Sequence, residues 1–252
     1  MKMRNIRVLL AYDGTEYCGW QIQKEGRTVQ GELERVLSGM HGDRVPVTAS
    51  GRTDSGVHAR GQVINFRSEL SSIPAEKYSL ALNTLLPEDI RALKSTLAND
   101  RFHSRYDAVR RTYRYYISTD ETCLPQHRKY CASFRYPLNI SRLNACAAHL
   151  VGDHDFTAFT VPRDASKSRV RRIYQAAFYT AGPFIVFTIT GNAFLWRMVR
   201  SIVGTLMEIE KNNGSSDDFF AILKSKDRAR AGTTAPARGL FLHKVEYDEQ
   251  YR

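Results

Sequence analysis

The sequence predicts an α+β protein: two ferredoxin-like (split βαβ) halves sharing an antiparallel sheet, with a central basic cleft. Three observations carry this. Residues 6–97 read in the order β-α-β-β-α-β, that of a split βαβ unit. Residues 112–247 rehearse the same order with a different sequence. No low-complexity linker or short repeat intervenes, so two halves sharing a sheet fit better than two beads on a string. The halves are drawn at 1–104 and 105–252, and Lys and Arg outnumber the acids by a net charge of +11.

The elements follow from local chemistry. Ile6 to Ala11 reads as a strand, ended by the turn signal Tyr12-Asp13-Gly14-Thr15. Tyr17 to Gln21 has no clear period and reads as a loop, with Trp20 filling the core. Thr28 is placed to cap a helix whose apolar stripe is Val29, Leu33, Val36, Leu37 and Met40. Val45 to Ala49 is short and β-prone, and Gln62 to Phe66 alternates polar and apolar residues. Pro74 opens a second helix, with Tyr78, Leu82, Leu85 and Leu86 on one face and Pro87 as its stop. Ile90 to Leu97 is a further strand. In the second half, Thr112 to Ile117, Ile173 to Tyr179, Phe184 to Thr190 and Leu240 to Tyr247 read as strands. Ser141 to Val151, Met198 to Ile209 and Phe219 to Lys226 read as helices, the second stopped by Asn212-Asn213-Gly214.

Composition narrows the function. At 252 residues and 42% hydrophobic content the chain suits a folded globular protein. Its positive charge points to a polyanion, nucleic acid before an acidic membrane surface. No apolar run is long enough to span a bilayer, and the N-terminus Met1 to Arg7 is too often charged to begin a secretory signal. Cys18, Cys123, Cys131 and Cys146 form no C-x-x-C and have no matching histidine spacing. The expectation is a cytoplasmic protein with reduced thiols, no metal and no cofactor.

Chemistry concentrates at Gly51-Arg52-Thr53-Asp54-Ser55-Gly56-Val57-His58-Ala59, a loop between two strands that packs a cation, a hydroxyl and a carboxylate between glycines. An ordinary turn with a solvated Asp reads equally well from these residues alone. Three clusters join it. Phe102 to Tyr106, with Arg105, is followed by Arg110 to Tyr116, where alternation puts Tyr113 and Tyr115 on one face and Arg114 and Tyr116 on the other. Aromatics interleaved with guanidinium groups suit an RNA-binding sheet, though half-buried strand tyrosines give the same pattern. Asn192 to Arg200 is expected to turn Met198 and Val199 inward and to set Arg197 and Arg200 on one side, with a carboxylate partner for Arg200. Ser168 to Arg172 is either a phosphate-contacting patch or a solvated edge strand. A single Asp kept ionised by an Arg can act as a covalent nucleophile, which suits detaching and reattaching a base with water excluded.

With these residues in view, the chain resembles the tRNA pseudouridine synthase A family. The resemblance runs collinearly through Tyr12-Asp13-Gly14-Thr15, Gly19-Trp20-Gln21, Thr28-Val29-Gln30, Gly51 to Ala59, Gly61-Gln62-Val63, Leu82-Asn83 and Leu86-Pro87 with Asp89-Ile90. It continues through Phe102-His103, Tyr113-Arg114-Tyr115, Gly191 to Leu195, Met198-Val199-Arg200 with Ile202 to Leu206, and Thr234-Ala235-Pro236 with Gly239-Leu240. It implies conversion of uridine to pseudouridine at positions 38, 39 and 40 of the tRNA anticodon stem-loop, without cofactor or metal. It also implies a homodimer with tRNA lying across both subunits. By position, Asp54 matches the nucleophile, Tyr113 the tyrosine that packs on the target base, and Arg200 the arginine that pairs with the aspartate. Arg52 matches the arginine that fills the space of the flipped nucleotide, and Arg105 a further arginine near the RNA. His58 is expected to hold the loop. Ser55 stands where Ala is commoner, and Tyr17 and Tyr106 where Phe is commoner. Two other classes share some of these features: a non-catalytic RNA-binding protein and a nucleoside hydrolase or base-exchange enzyme.

Overall fold

The computed structural model describes residues 3–248, so Met1 and Lys2 of the charged N-terminus lie outside them. The chain forms two compact units, residues 1–109 with 241–252, and residues 110–240. The elements of the first are β1 (Arg4–Tyr12), α1 (Val29–His41), β2 (Thr48–Ala49), β3 (His58–Ser68), α2 (Tyr78–Asn83) and β4 (Ile90–Ala98). Those that follow are β5 (Ala108–Ser118), β6 (Ala132–Ser133), α3 (Ile140–Ala148), β7 (Gly152–Asp155), β8 (Val170–Ala181), β9 (Phe184–Gly191), α4 (Met198–Lys211), α5 (Ser216–Ser225) and the closing strand β10 (Leu240–Tyr247). The mixed α+β class holds, and most strand pairs are antiparallel.

In the first unit β1 lies between β3 and β4, and β2 pairs antiparallel with β3. The closing strand adds to β3 in parallel, Phe241 opposite His58 and Leu242 opposite Ala59. β3 is therefore interior to the sheet. Gln62 and Asn65 are buried beside Val63, Ile64 and Phe66, with their amides committed to hydrogen bonds. Thr28 caps α1, accepting from Gly31 N–H, and Val29, Leu33, Val36 and Leu37 are buried. The second helix is shorter than its apolar pattern suggests. A turn of 3-10 helix at Ala75–Lys77 precedes α2, and α2 stops at Asn83, four residues before Pro87. Tyr78, Leu82 and Leu86 are buried, but Leu85 lies beyond the helix and is 53% exposed.

The second unit orders its strands β5-β9-β8-β7, with β6 paired parallel to β5. Helices α3 and α4 are joined by an ion pair the sequence hides. Glu210, only 4% exposed, accepts from Arg142 Nε at 2.8 Å, Arg142 Nη2 at 2.7 Å and the Asn139 backbone N–H at 2.7 Å. The Arg142 hydrogen bonds hold its carboxyl below the ordinary value of 4.5. A depressed carboxyl stabilises the fold above its unfolded pKa and loses that contribution as pH falls through the lower folded value. Glu210→Gln is thus expected to cost about 1–3 kcal/mol at pH 7. In urea unfolding, its deficit against the parent should shrink as pH drops below 4.5.

Among the described residues no helix is long and apolar enough to cross a membrane, and no group of three His, Cys, Asp or Glu is placed to hold a metal ion. All four cysteines are free, with Cys123 and Cys131 Sγ atoms 3.7 Å apart.

Candidate active site

The Asp54 loop joins β2 to β3, and residues scattered over the first fifty positions brace it. At its base, Ser50 N–H donates to Val63 O at 2.8 Å and Ser50 Oγ to Gln62 Oε1 at 2.6 Å. Gln62 Nε2 in turn donates to Gly51 O at 2.8 Å. At its crown, Trp20 N–H donates to Thr53 O at 3.0 Å, and the Tyr12 hydroxyl meets Thr53 Oγ1 at 2.8 Å. Ser55 Oγ and Gly56 N–H both reach Tyr17 O, at 3.2 and 3.3 Å. Val57 N–H closes on Asp54 O at 3.1 Å, with Gly56 at φ 74°, where a side chain would be strained. Trp20 is 3% exposed, the core residue the sequence suggests.

Tyr17 is itself anchored. Its ring lies 4.4 Å from the Arg27 guanidinium, and its hydroxyl donates to Asp89, which pairs with Arg27 Nη1 at 2.7 Å. Burial and the Asp89 hydrogen bond push its phenol above the ordinary range, so it remains a donor at neutral pH.

His58 is fully buried and accepts Gly14 N–H on Nδ1 at 3.0 Å, while Asp13 Oδ1 stands 3.1 Å from the same atom. The ring stacks on Phe241 at 4.5 Å. Within this frame Arg52 and Ser55 are exposed and Asp54 is half-buried. Arg105, also in the first unit, is exposed, with its guanidinium 5.7 Å from the Tyr106 ring.

The second unit carries Tyr113 and Arg200. Tyr113 lies on β5 opposite Ile189, 8% exposed, its ring edge-on to Phe194 at 5.1 Å. Tyr115 shares that face but is fully buried and bonds Pro236 O at 2.8 Å, which leaves it in the core. Arg114 and Tyr116, on the opposite face, are half-exposed. Arg200 enters α4 with its backbone and side chain tied to one residue: Nε donates to Ala235 O at 2.8 Å, and Ala235 N–H to Arg200 O at 3.0 Å. Met198 and Val199 turn inward as expected. Arg197 does not share a helical face with Arg200. It precedes the helix in a left-handed conformation, φ 61° and ψ 9°. In the Ser168 to Arg172 stretch, Ser168 and Arg169 precede β8, and Val170 to Arg172 pair with β7. Arg169 pairs with Asp164 at 3.0 Å and Arg172 with Asp153 at 2.6 Å.

The sequence did not point to Thr53, Ser50, Gln62 or Asp164 as supports.

Comparison with known proteins agrees with the motifs. The sequence model of the tRNA pseudouridine synthase family matches residues 9–107 and 146–248. Asp54, Arg52, Arg105 and Arg200 lie within those spans, and Tyr113 lies between them. The chain is 45% identical over 251 residues to tRNA pseudouridine synthase A of Treponema denticola, covering 98% of this chain and 94% of that one. It is 46% identical over 245 residues to the Bacillus velezensis protein of that name (96% and 99%) and 44% identical over 245 to the Bacillus subtilis one (96% and 99%). With the family model matching both of its spans and these likenesses running almost end to end, this chain belongs to the tRNA pseudouridine synthase family, and is an isomerase.

Proposed function

We propose that the protein converts uridine to pseudouridine at positions 38, 39 and 40 of the tRNA anticodon stem-loop, with Asp54 as nucleophile. Uridine isomerisation in tRNA is the family's reaction. The observation that carries the finer reading is the setting of Asp54: a half-open carboxylate on a loop tied to the scaffold at base and crown. Such a frame pre-organises an attacking group, which is worth more than extra contacts to the substrate.

Uridine and pseudouridine are isomers, so the atoms balance without a co-substrate. The target nucleotide is flipped out of the stack. The Asp54 carboxylate adds to ribose C1′ or to uracil C6, and the N1–C1′ bond breaks. The uracil turns, C5 bonds to C1′, the carboxylate leaves, and the C5 proton is lost while N1 gains one. In this reading Tyr113 stacks on the uracil and takes part in the last deprotonation. Arg200 keeps Asp54 ionised, and the exposed Arg52 fills the gap left in the RNA. Arg105, stacked on Tyr106, holds phosphate. The strand order β4-β1-β3-β2 supports taking the first unit as a ferredoxin-like half. The same reading makes the protein a cytoplasmic homodimer that takes tRNA across both subunits.

Incubating the protein alone with unmodified tRNA tests it. Pseudouridine mapped to positions 38–40 with no free uracil is the expected result. Released uracil would make it a hydrolase, and tight binding with neither product would make it a binding protein.

A further inference from the structure

The turn into α4 does more than start a helix. Arg197 is one of few non-glycine residues at positive φ among those described, and such a residue persists only where its surroundings over-determine it. Here the residue before it is clamped at both its backbone polar groups. Trp196 N–H donates to Asp164 Oδ2 at 2.6 Å, and Trp196 O accepts from Thr160 Oγ1 at 3.1 Å. Arg197 O takes Ser201 N–H at 2.9 Å. Asp164, its side chain 5% exposed, is held in turn by Arg169 Nη1 at 3.0 Å and by Ser166 N–H at 2.8 Å.

Leu195 and Met198, on either side, are buried, so the clamp turns the two residues between them outward. Trp196 is 45% exposed, and the exposed Arg197 guanidinium lies 5.4 Å from its ring centroid. A tryptophan is an unusual residue to leave in water, and the other one, Trp20, is buried. Arg163 and Lys167, exposed on the segment that carries Asp164, make the neighbourhood cationic.

We propose that Trp196 and Arg197 form a stacking platform for an unpaired nucleotide of the tRNA substrate, with Asp164 and Thr160 as positioning residues. The indole face receives the base, and Arg197 with its cationic neighbours receives the phosphate. An Arg held against an indole also keeps the ring in place for stacking. The platform rests on the tRNA reading above but makes separate demands.

The chain has two tryptophans, and only one is open to solvent, so indole fluorescence reports this site. Unmodified tRNA titrated into the protein is expected to quench the exposed emission, and Trp196→Phe to remove that quench. Trp196→Ala should weaken tRNA binding and raise its KM about tenfold, with Trp196→Phe recovering most of the loss. Arg197→Ala should lower the slope of log affinity against log salt by about 1. If Trp196→Ala binds tRNA like the parent, or tRNA leaves the emission unchanged while pseudouridine still forms, the platform is refuted. A parent protein that makes no pseudouridine, yet shows a Trp196-dependent quench with tRNA, refutes the function and keeps the platform.

Discussion

Asp54→Asn is expected to lower pseudouridine formation by about four to six orders of magnitude, the usual scale for removing a covalent nucleophile. The substitution changes little else. Asn has nearly the same shape, and the Asp54 backbone carbonyl keeps the hydrogen bond it accepts from Val57 N–H. Binding of tRNA should therefore stay within about threefold, and the unfolding midpoint within a few degrees, since half-open surface positions contribute little to stability. Single-turnover kinetics on tRNA, with a parallel binding titration, separates the two effects. Turnover within tenfold of the parent would show that the carboxylate is not the nucleophile.

Gly14→Ala tests the frame rather than the chemistry. A Cβ at residue 14 would sit 2.0 Å from Val57 O and 2.6 Å from Val57 C, both backbone atoms of the Asp54 loop. No side-chain rotation relieves that overlap, so β1's turn or the loop must move. The shift also opens the Gly14 N–H bond to buried His58. We expect a loss of about 2–4 kcal/mol in stability. A fall of about a hundredfold in kcat should accompany it, because displacing a reacting group by an ångström costs roughly that much. Gly39→Ala on α1 is the control. A Cβ there meets nothing within 4 Å, and Ala favours helix, so it should stabilise by up to about 1 kcal/mol. Equal urea midpoints and equal kcat for Gly14→Ala and the parent would remove the loop from its role as a rigid support.

Much of the architecture was legible because its causes are local. Thr28 accepting from Gly31, Asn212 and Asn213 ending α4, and the buried stripe of α1 all depend on residues within a few positions of one another. Non-local packing decided the readings that changed. Gln62 and Asn65 read as polar surface positions until both are found buried with their amides hydrogen-bonded. Leu85 fits a helical stripe, but α2 ends before reaching it. Arg197 fits an i, i+3 pair with Arg200 only if the helix starts earlier than it does.

The candidate residues show the same division. The sequence marked Asp54 as a loop residue between glycines, and marked Tyr12 to Thr15 as a turn and Tyr17 to Gln21 as a further loop. Only the tertiary structure showed that these two segments hold the Asp54 loop, through Thr53 O, Tyr17 O and His58 Nδ1. Likewise Thr234-Ala235-Pro236 is a motif without a visible purpose until Ala235 is seen gripping Arg200. What the sequence determined alone was element type, charge and motif order, since periodicity, capping and composition need no distant partner. Which polar groups are buried, which arginines are spent on acids, and which loop is rigid were settled by contacts between residues tens of positions apart. A linear pattern does not encode those contacts locally.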